Sequence, residues 1–305
     1  MVTLVRAPNP SAMTLSGTNS YLLDCGEGAG LVIDPGPTIS RHVDALVETA
    51  TSQRLSIAAI ALTHGHPDHS GAAAELAALT QAPIYAHPAS RIPHTHDLPL
   101  EGALRVGRVA LPTIDAPGHT FDHVVFYLPE EGSLFTGDVI LGEGTSVIAP
   151  PGGAMRPYRR TLRRLAHEFP DVRVIYGGHG PVVTAARAKI DEYIEHRRQR
   201  EQQIVDALRE APLTIPEIVH RVYGPERSVL WPAMARQILA HLIALEGEGR
   251  VAGCVLERAM TADEMAMLNP RIEEIVGAAE AAVIVAELGT EMRLQKLVAY
   301  RLTEG

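Results

Sequence analysis

The chain is poor in cysteine: its 305 residues include only Cys25 and Cys254, which lie far apart in the sequence. No cysteine pair has the spacing of a metal-binding or redox-active motif, so thiolate zinc sites and thioredoxin-like chemistry are excluded. Unpaired thiols are typical of proteins kept in a reducing compartment. We therefore expect two reduced cysteines and a cytoplasmic location.

Long apolar segments and aromatic residues are also scarce. Even the longest apolar runs, such as Ala281–Ala286, are far too short to span a bilayer. No basic segment followed by an apolar stretch opens the sequence, so we expect neither a signal peptide nor a membrane partner. Aromatic side chains make up only 4% of the chain, which leaves no evident platform for stacking nucleic-acid bases.

Acidic residues outnumber basic ones. The sequence has 36 Asp and Glu against 27 Lys and Arg, a net charge of −9 at pH 7. This balance favours solubility and argues against a protein that coats nucleic acid by bulk charge. Apolar residues make up 46%, enough to build a core in one large domain or two smaller ones.

The first part of the chain alternates strand-like and helical patterns, as α/β domains do. The predicted strands are Asn19–Asp24, Gly30–Asp34, Ile57–Thr63, Ile84–His87, Val109–Ile114, His123–Leu128, Ser133–Thr136 and Val172–Tyr176. Helices are predicted at 38–52, Ser70–Thr80 and Tyr158–Phe169. We assign residues 1–185 to this α/β domain.

From about residue 184 the pattern changes to long helices, followed by two strand-like pieces. The predicted helices are Thr184–Glu210, Ile215–Tyr223 and Val229–Glu246, and the predicted strands are Arg250–Leu256 and Leu297–Leu302. Three helices and a two-stranded ribbon are the pattern of a winged helix. We assign it to residues 186–305, with a linker helix from about residue 186.

The residues between the two predicted ribbon strands are themselves helical in pattern, at Thr261–Leu268 and Pro270–Leu288. Two interpretations stay open. The wing carries a helical insertion at about 258–294, which we favour, or the two strands do not pair with each other.

The strongest chemical signal is the run Thr63–His64–Gly65–His66–Pro67–Asp68–His69, which follows a predicted buried strand and precedes a helix. It places four side chains that can bind a metal within six residues. Imidazole nitrogen and carboxylate oxygen are the ligands that zinc and similar divalent ions accept. Gly65 and Pro67 allow the backbone to turn tightly, so this loop is predicted to bind metal.

Three further candidate ligands each follow a predicted strand: His119, Asp138 and His179. Each has a glycine beside it, so the backbone can approach a metal closely. A single histidine after glycine is a weak signal, but the order of all three after the first motif is a strong one.

This pattern resembles the metallo-beta-lactamase superfamily, whose signature is HxHxDH followed by His, Asp and His. The resemblance implies a four-layer αβ/βα sandwich and two divalent ions, with zinc expected and iron or manganese also compatible. The ligands of the first ion would be His64, His66 and His119, those of the second Asp68, His69 and His179, and Asp138 would bridge them. The implied reaction is hydrolysis by metal-activated hydroxide, with ions about 3.5–4 Å apart and Asp68 handling the proton.

Two details narrow the resemblance. Asp138 stands where true zinc β-lactamases lack a bridging aspartate, so β-lactam hydrolysis is not expected as the main activity. The runs Gly118–His123 and Gly17–Tyr21, together with the winged helix, resemble the beta-lactamase-like protein 2 group. That group includes single-strand-preferring endoribonucleases and acyl-carrier thioesterases, so the resemblance does not fix the substrate.

Further candidate residues surround the metal motif. We expect Asp34, at a strand end, to orient a metal-bound histidine, the alternative being that it only caps its turn. His123 is predicted to contact substrate or a water beside the ligands, or else to be structural. Five arginines spaced three or four residues apart form one helical face that could bind phosphate, or be a solvated face offset by acidic neighbours: Arg156, Arg159, Arg160, Arg163 and Arg164. Tyr158 could hydrogen-bond substrate from the same segment.

Three functions are compatible with the sequence. A hydrolase of a small ester, thioester or lactone is favoured; the alternatives are a metal-dependent endoribonuclease on single-stranded RNA and a non-catalytic nucleic-acid-binding regulator. From Arg187 to the end, 15 Lys and Arg stand against 19 Asp and Glu, whereas nucleic-acid-binding domains usually carry a basic patch. We therefore expect a small acyl substrate as the partner and do not favour nucleic acid. A homodimer is compatible with the sequence.

Overall fold

The computed structural model describes residues 1–224, 230–268 and 296–303, which fall into two compact units. The first unit comprises residues 1–146 and 164–191, and the second comprises 147–163 and 192–305. The first unit thus ends six residues beyond the boundary that we predict at residue 185. Residues 147–163 belong to the second unit although they precede residues 164–191 of the first unit in the chain. The periodicity of a sequence does not indicate which unit such a segment joins.

Eleven strands are described up to residue 191, together with the helices between them. The strands are β1 Val2–Arg6, β2 Asn19–Asp24, β3 Ala29–Ile33, β4 Ser56–Ala61, β5 Ile84–Ala86, β6 His96–Asp97, β7 Ala103–Val106, β8 Val109–Asp115, β9 Val124–Leu128, β10 Ser133–Gly137 and β11 Val174–Gly177. The helices are α1 Ser40–Ser52, α2 Pro67–Ser70, α3 Ala73–Thr80 and α4 Met155–Glu168, of which α4 crosses the division between the units.

These strands form two sheets. One has the order β1-β2-β3-β4-β5-β6 and the other has the order β11-β10-β9-β8-β7. Strands β3 to β6 run parallel, and so do β10 and β11, while the other neighbours are antiparallel. Parallel neighbours bring their carboxyl ends to the same edge of a sheet, where open α/β folds bind their ligands.

The core between the two sheets follows from the period-two pattern of the strands. Tyr21 and Leu23 of β2 point into one buried cluster with Phe126 of β9 and Phe135 of β10. Leu22, between them in β2, points to the opposite face and joins a cluster with Leu46 of α1. Alternate residues of one strand thus serve a sheet-to-sheet core and a sheet-to-helix core.

Helical segments cover the outer face of each sheet. On the first sheet, α1 and α3 contribute Val43, Leu46 and Leu76 to the outer cluster. On the second, the ring of Tyr127 in β9 lies 4.7 Å from that of Phe169, which directly follows α4. The first unit therefore has helix, sheet, sheet and helix layers, which is the αβ/βα sandwich that we predict.

The second unit is mostly helical. It contains most of α5 Ala186–Leu208, with β12 Leu213–Thr214, α6 Ile215–Tyr223, α7 Trp231–Gly247, β13 Val251–Val255, α8 Ala262–Leu268 and β14 Val298–Leu302. The strands form a sheet of order β12-β14-β13. Its core joins Ile218 of α6, Leu239 and Leu242 of α7, and Tyr300 of β14.

Strands β13 and β14 are antiparallel neighbours, with Val251 opposite Leu302. The predicted pairing of the ribbon strands is therefore confirmed, and α8 lies between them in the chain. The extent of the helical insertion at about 258–294 stays a prediction. The predicted helix Pro270–Leu288 lies outside the described residues, as does Val229 at the start of the third predicted helix.

Other boundaries differ from prediction. The helix predicted at Ser70–Thr80 is two helices, α2 and α3, and the strands β1, β6, β7 and β12 are not in the predicted set. Within the ranges that the structure describes, no helix has the length and apolar character needed to cross a membrane.

Candidate metal centre

All seven predicted ligands lie in the first unit, in segments that follow strands. His64 and His66 lie on the loop after β4, Asp68 and His69 lie in the short helix α2 that follows it, and the loops after β8, β10 and β11 carry one ligand each. Glycines let these loops approach one another. At Gly178, a Cβ atom would overlap the carboxylate of Asp138 and the ring of His69, so only glycine fits beside the ligand His179.

Three histidines form a first ligand group. His64 Nε2 lies 3.0 Å from His66 Nδ1, and His119 Nε2 lies 3.1 Å from the same His66 Nδ1. Each neutral imidazole carries only one N–H. Each ring therefore keeps one nitrogen lone pair, and the three donor atoms lie close enough together to hold one metal ion.

A second group combines a carboxylate with two histidines. Asp68 Oδ2 lies 3.2 Å from His179 Nε2 and 3.4 Å from His69 Nε2, and the two nitrogens are 3.3 Å apart. All three side chains are fully buried. Their donor atoms again meet at one point, which makes a second set able to hold a metal ion.

Asp138 lies between the two groups. Its Oδ1 is 3.4 Å from His69 Nε2, and its Oδ2 is 3.6 Å from His119 Nε2 and 3.5 Å from His179 Nε2. The carboxylate therefore faces members of both groups, which is the position that a bridging ligand requires.

The spacing of the donor atoms fits divalent ions. An ion with tetrahedral ligands at ~2.0 Å holds its donor atoms ~3.3 Å apart, and within each group the measured separations run from 3.0 to 3.4 Å. Nitrogen and oxygen donors suit zinc, iron and manganese alike. The residues therefore fit two ions, with the identity of the metal open.

The two groups differ in charge. Burial, followed by the neighbouring histidines, lowers the pKa of His64 well below its ordinary value, and burial with His119 lowers the pKa of His66 to about 3. His64 and His66 of the first group are thus neutral imidazoles, the form in which histidine binds metal.

In the second group, ion pairing outweighs burial. Burial would raise the pKa of Asp68, but the adjacent His69 and His179 bring it to about 2. Burial would likewise lower the pKa of His179, yet Asp138 and Asp68 raise it to about 10. An ion that enters this group therefore displaces protons from histidine.

Asp34 contacts the second group through His69. His69 Nδ1 lies 2.9 Å from its Oδ2, and the Thr63 hydroxyl and backbone N–H also donate to its carboxylate. Such a partner fixes the proton on Nδ1 and directs Nε2 to the metal. Asp34, His64 and His69 also have donor atoms close together, but the Asp34–His69 contact uses Nδ1, so this trio is a hydrogen-bonded network.

His123 lies against the ligands without exposed surface. Its Nε2 accepts the backbone N–H of Asp138 at 3.1 Å, and its ring stacks on His64 with 4.7 Å between centroids. The side chain is 0% exposed. His123 is therefore placed to orient Asp138, and it has no exposed atom that a substrate could contact.

The candidate substrate residues Arg156, Tyr158 and Arg159 lie in the part of α4 that belongs to the second unit. Tyr158 is fully buried, with the Arg197 guanidinium 5.1 Å from its ring centroid. Arg159 pairs with Glu201 and Glu248, whereas Arg156 is exposed. The structure does not bring these three residues together with the metal ligands in one unit, and their substrate contacts stay a prediction.

Two further residues support the centre and are not among the predicted site residues. The Thr18 hydroxyl donates to Asp68 Oδ2, and Asn19 Nδ2 donates to the carbonyls of Gly177 and Gly180, on either side of His179. In the sequence, the run Gly17–Tyr21 stands out only as part of the resemblance to a family. The polar pair Thr18–Asn19 at the start of a buried strand is the feature that could have indicated these two supporting residues.

Comparison with known families agrees with this architecture. The profile of the metallo-beta-lactamase superfamily matches residues 13–179, and that of the beta-lactamase associated winged helix domain matches residues 214–253. The first match contains all seven candidate ligands, and the second covers α6, α7 and the first part of β13.

Among curated proteins, the chain is 35% identical over 270 residues to a beta-lactamase-like protein 2 homolog of Drosophila melanogaster, covering 80% of this chain and 87% of that one. It is 32% identical over 270 residues to an atrochrysone carboxyl ACP thioesterase of Aspergillus chevalieri, covering 82% of each.

Among solved structures, a metallo-beta-lactamase family protein from Thermus thermophilus superposes with a TM-score of 0.70 at 24% identity. The superposition covers 83% of this chain and 95% of that one, which supports the fold alone. From its sequence profile, relatives and two-sheet architecture, the chain belongs to the metallo-beta-lactamase superfamily of hydrolases and carries the associated winged helix domain.

Proposed function

We propose that this protein is a dinuclear metal-dependent hydrolase that acts on a small ester, thioester or lactone, with zinc as the ion. The observation that carries the proposal is the pair of buried ligand groups whose donor atoms lie 3.0–3.4 Å apart, with Asp138 facing both. Two such ions, when bound, activate water as a nucleophile near neutral pH and polarise the oxygen of the group under attack.

The residues around the ions have separate tasks. Asp68 Oδ2 faces the histidines, while its Oδ1 is buried and has no hydrogen-bond partner in the described part of the chain. This free oxygen is where the proton released from water would be held and passed on. Asp34 and His123 fix the orientation of His69 and Asp138 through the contacts given above.

An acyl substrate is supported by three observations. One relative at 32% identity carries the name of an acyl-carrier thioesterase. Residues 187–305 have a net charge of −4 from 15 basic and 19 acidic residues, which does not favour RNA. On the loop between His119 and His123, Phe121 is 54% exposed, and an apolar ring suits an acyl or aryl group better than a phosphodiester.

The experiment is a substrate panel for the metal-loaded full chain: a pantetheine acyl thioester, a lactone and single-stranded RNA. We expect turnover of the thioester or the lactone, lost in Asp68→Ala. Asp24→Ala, at an exposed position in the same unit, is the matched control and should keep full activity. RNA cleavage that needs Asp68, with no ester turnover, would replace this proposal with an endoribonuclease.

A further inference from the structure

The loop that joins β1 to β2, residues 7–18, is a closed and hydrogen-bonded structure. The Ala7 N–H donates to the Thr18 carbonyl at 2.8 Å, which ties the two ends together, and the Gly17 N–H donates to the Thr14 carbonyl at 2.9 Å. Thr18 at its end is fully buried. We call residues 7–18 the N-terminal loop.

Thr18 reaches one ligand through its side chain. Its Oγ1 lies 3.3 Å from Asp68 Oδ2, and both residues are buried. An ionised carboxylate has no hydrogen to give, so the hydroxyl must be the donor. Thr18 thus adds a donor to the carboxylate oxygen that also faces His69 and His179.

Asn9 fixes the direction of that hydrogen bond. Its Oδ1 accepts the Thr18 N–H at 2.9 Å, which orients the amide, and its Nδ2 then donates to Thr18 Oγ1 at 3.0 Å. The Thr18 oxygen therefore already accepts one hydrogen, and its own hydrogen is free to point at Asp68. The result is a one-way chain from the Asn9 amide through the Thr18 hydroxyl to the Asp68 carboxylate.

The same segment reaches a second ligand through its backbone. Thr18 forms an isolated antiparallel bridge with His179, and the Asn19 N–H donates to the Gly178 carbonyl at 2.7 Å. Two of the three members of the ligand group Asp68, His69 and His179 are therefore held by residues next to each other in the chain.

We propose that Thr18, oriented by Asn9, is a positioning residue for the ion that Asp68, His69 and His179 would hold, and that it sets the affinity for that ion. The inference rests on the two-ion assignment of the proposed function but not on any substrate. Residues that orient metal ligands typically contribute 10- to 100-fold to metal affinity, and the Thr18 hydroxyl is placed to do so.

The test measures metal affinity directly, by competition between the full chain and a chromogenic chelator, without substrate. Thr18→Val keeps the shape of the side chain and removes the donor. We expect it to weaken the second ion about 10- to 100-fold while the first ion, at His64, His66 and His119, keeps its affinity. Thr18→Ser keeps the hydroxyl and should restore most of the loss.

Asn9→Asp gives an independent test that leaves Thr18 in place. A carboxylate at position 9 cannot donate to Thr18 Oγ1 and instead competes with Asp68 for the hydroxyl hydrogen. We expect a loss in the same range as for Thr18→Val. The double variant should lose little more than either single one, because both changes break the same chain of hydrogen bonds.

Ser11→Ala is the matched control. Ser11 contacts Thr14 and the backbone within the N-terminal loop but no ligand, so both affinities should stay unchanged. Equal second-ion affinities in Thr18→Val and the unmodified chain, or an equal loss at both ions together with a lower melting temperature, would overturn the inference. Normal two-ion binding without turnover of any ester would overturn the proposed substrate and leave Thr18's role intact.

Discussion

Asp34 is the residue on which several parts of the centre converge. Its carboxylate accepts hydrogen bonds from the Thr63 side chain, the Thr63 backbone and His69, and its backbone has φ of 52°. A left-handed conformation is unfavourable for residues other than glycine. The three hydrogen bonds stabilise it, so Asp34 both shapes the turn after β3 and orients a ligand.

Substitution of Asp34 by Asn should therefore weaken metal binding more than folding. The amide keeps the size of the side chain, but its NH₂ group cannot accept a hydrogen bond. This group would stand where the Asp34 carboxylate accepts a hydrogen bond from either Thr63 or His69. We expect about a 10- to 100-fold loss of affinity for the ion at His69, measured by chelator competition. Asp24 is exposed, and among the contacts described its carboxylate accepts only the Gly26 N–H. Asp24→Asn should therefore leave the metal affinity unchanged.

His42 gives the protein an acid-sensitive point outside the ligand set. Its Nε2 lies 2.8 Å from the Ser20 hydroxyl, and burial lowers its pKa from 6.5 to about 4. A histidine whose pKa is lower in the folded state contributes stability above pH 6.5, and that stability is lost as the pH falls toward 4. The lowered pKa corresponds to ~3 kcal/mol at most.

We expect the difference in unfolding free energy between the unmodified chain and His42→Gln to shrink by about that amount between pH 7 and pH 4. Urea denaturation at each pH measures it, because the comparison cancels the titration of the metal ligands. A constant difference for His42→Gln would contradict the assigned cause.

Most helices and strands can be predicted from the strong periodicity of apolar residues in the sequence. β2 and α6 have the bounds that the sequence predicts, Asn19–Asp24 and Ile215–Tyr223. The strands that were missed are short or lie at edges: β6 and β12 have two residues each, and β1 pairs only with β2. Segments of that length hold too few residues for a period to show.

The candidate ligands are visible in the sequence, but not all the residues that contact them are. His64 to His69 are recognisable because metal-binding side chains follow a strand at close spacing. Thr18 and Asn9 are ordinary residues in a polar loop, and their role appears only when the loop folds against Asp68. Contacts between residues 50 positions apart leave no trace in local pattern.

The start of α6 offers a test of local stability in the second unit. Thr214 and Glu217 form a capping box, in which each side chain satisfies the backbone at the other position. Thr214→Ala should cost about 1 kcal/mol, whereas Thr214→Ser should cost little. The single tryptophan, Trp231, lies in the same core, so its fluorescence during denaturation reports this unit. Equal stability of the Ala and Ser variants would contradict the role of the cap.

At the scale of the whole molecule, the chain joins a hydrolase unit to a winged-helix unit. The metal ligands and their supports lie entirely within residues 1–146 and 164–191. The second unit has its own core and its own sheet. We therefore expect the affinity for both ions to be independent of substitutions that destabilise α6, such as Thr214→Ala, below the onset of unfolding.

In the function proposed above, hydrolysis depends on two ions held by seven ligands. The most direct measurement is turnover of an acyl thioester as the metal-free full chain is titrated with zinc, with bound metal counted at each point. We expect activity to rise until two ions are bound per chain, and we expect Asp138→Ala not to reach the plateau. Full activity at one ion per chain, or activity that survives complete removal of metal, would contradict it.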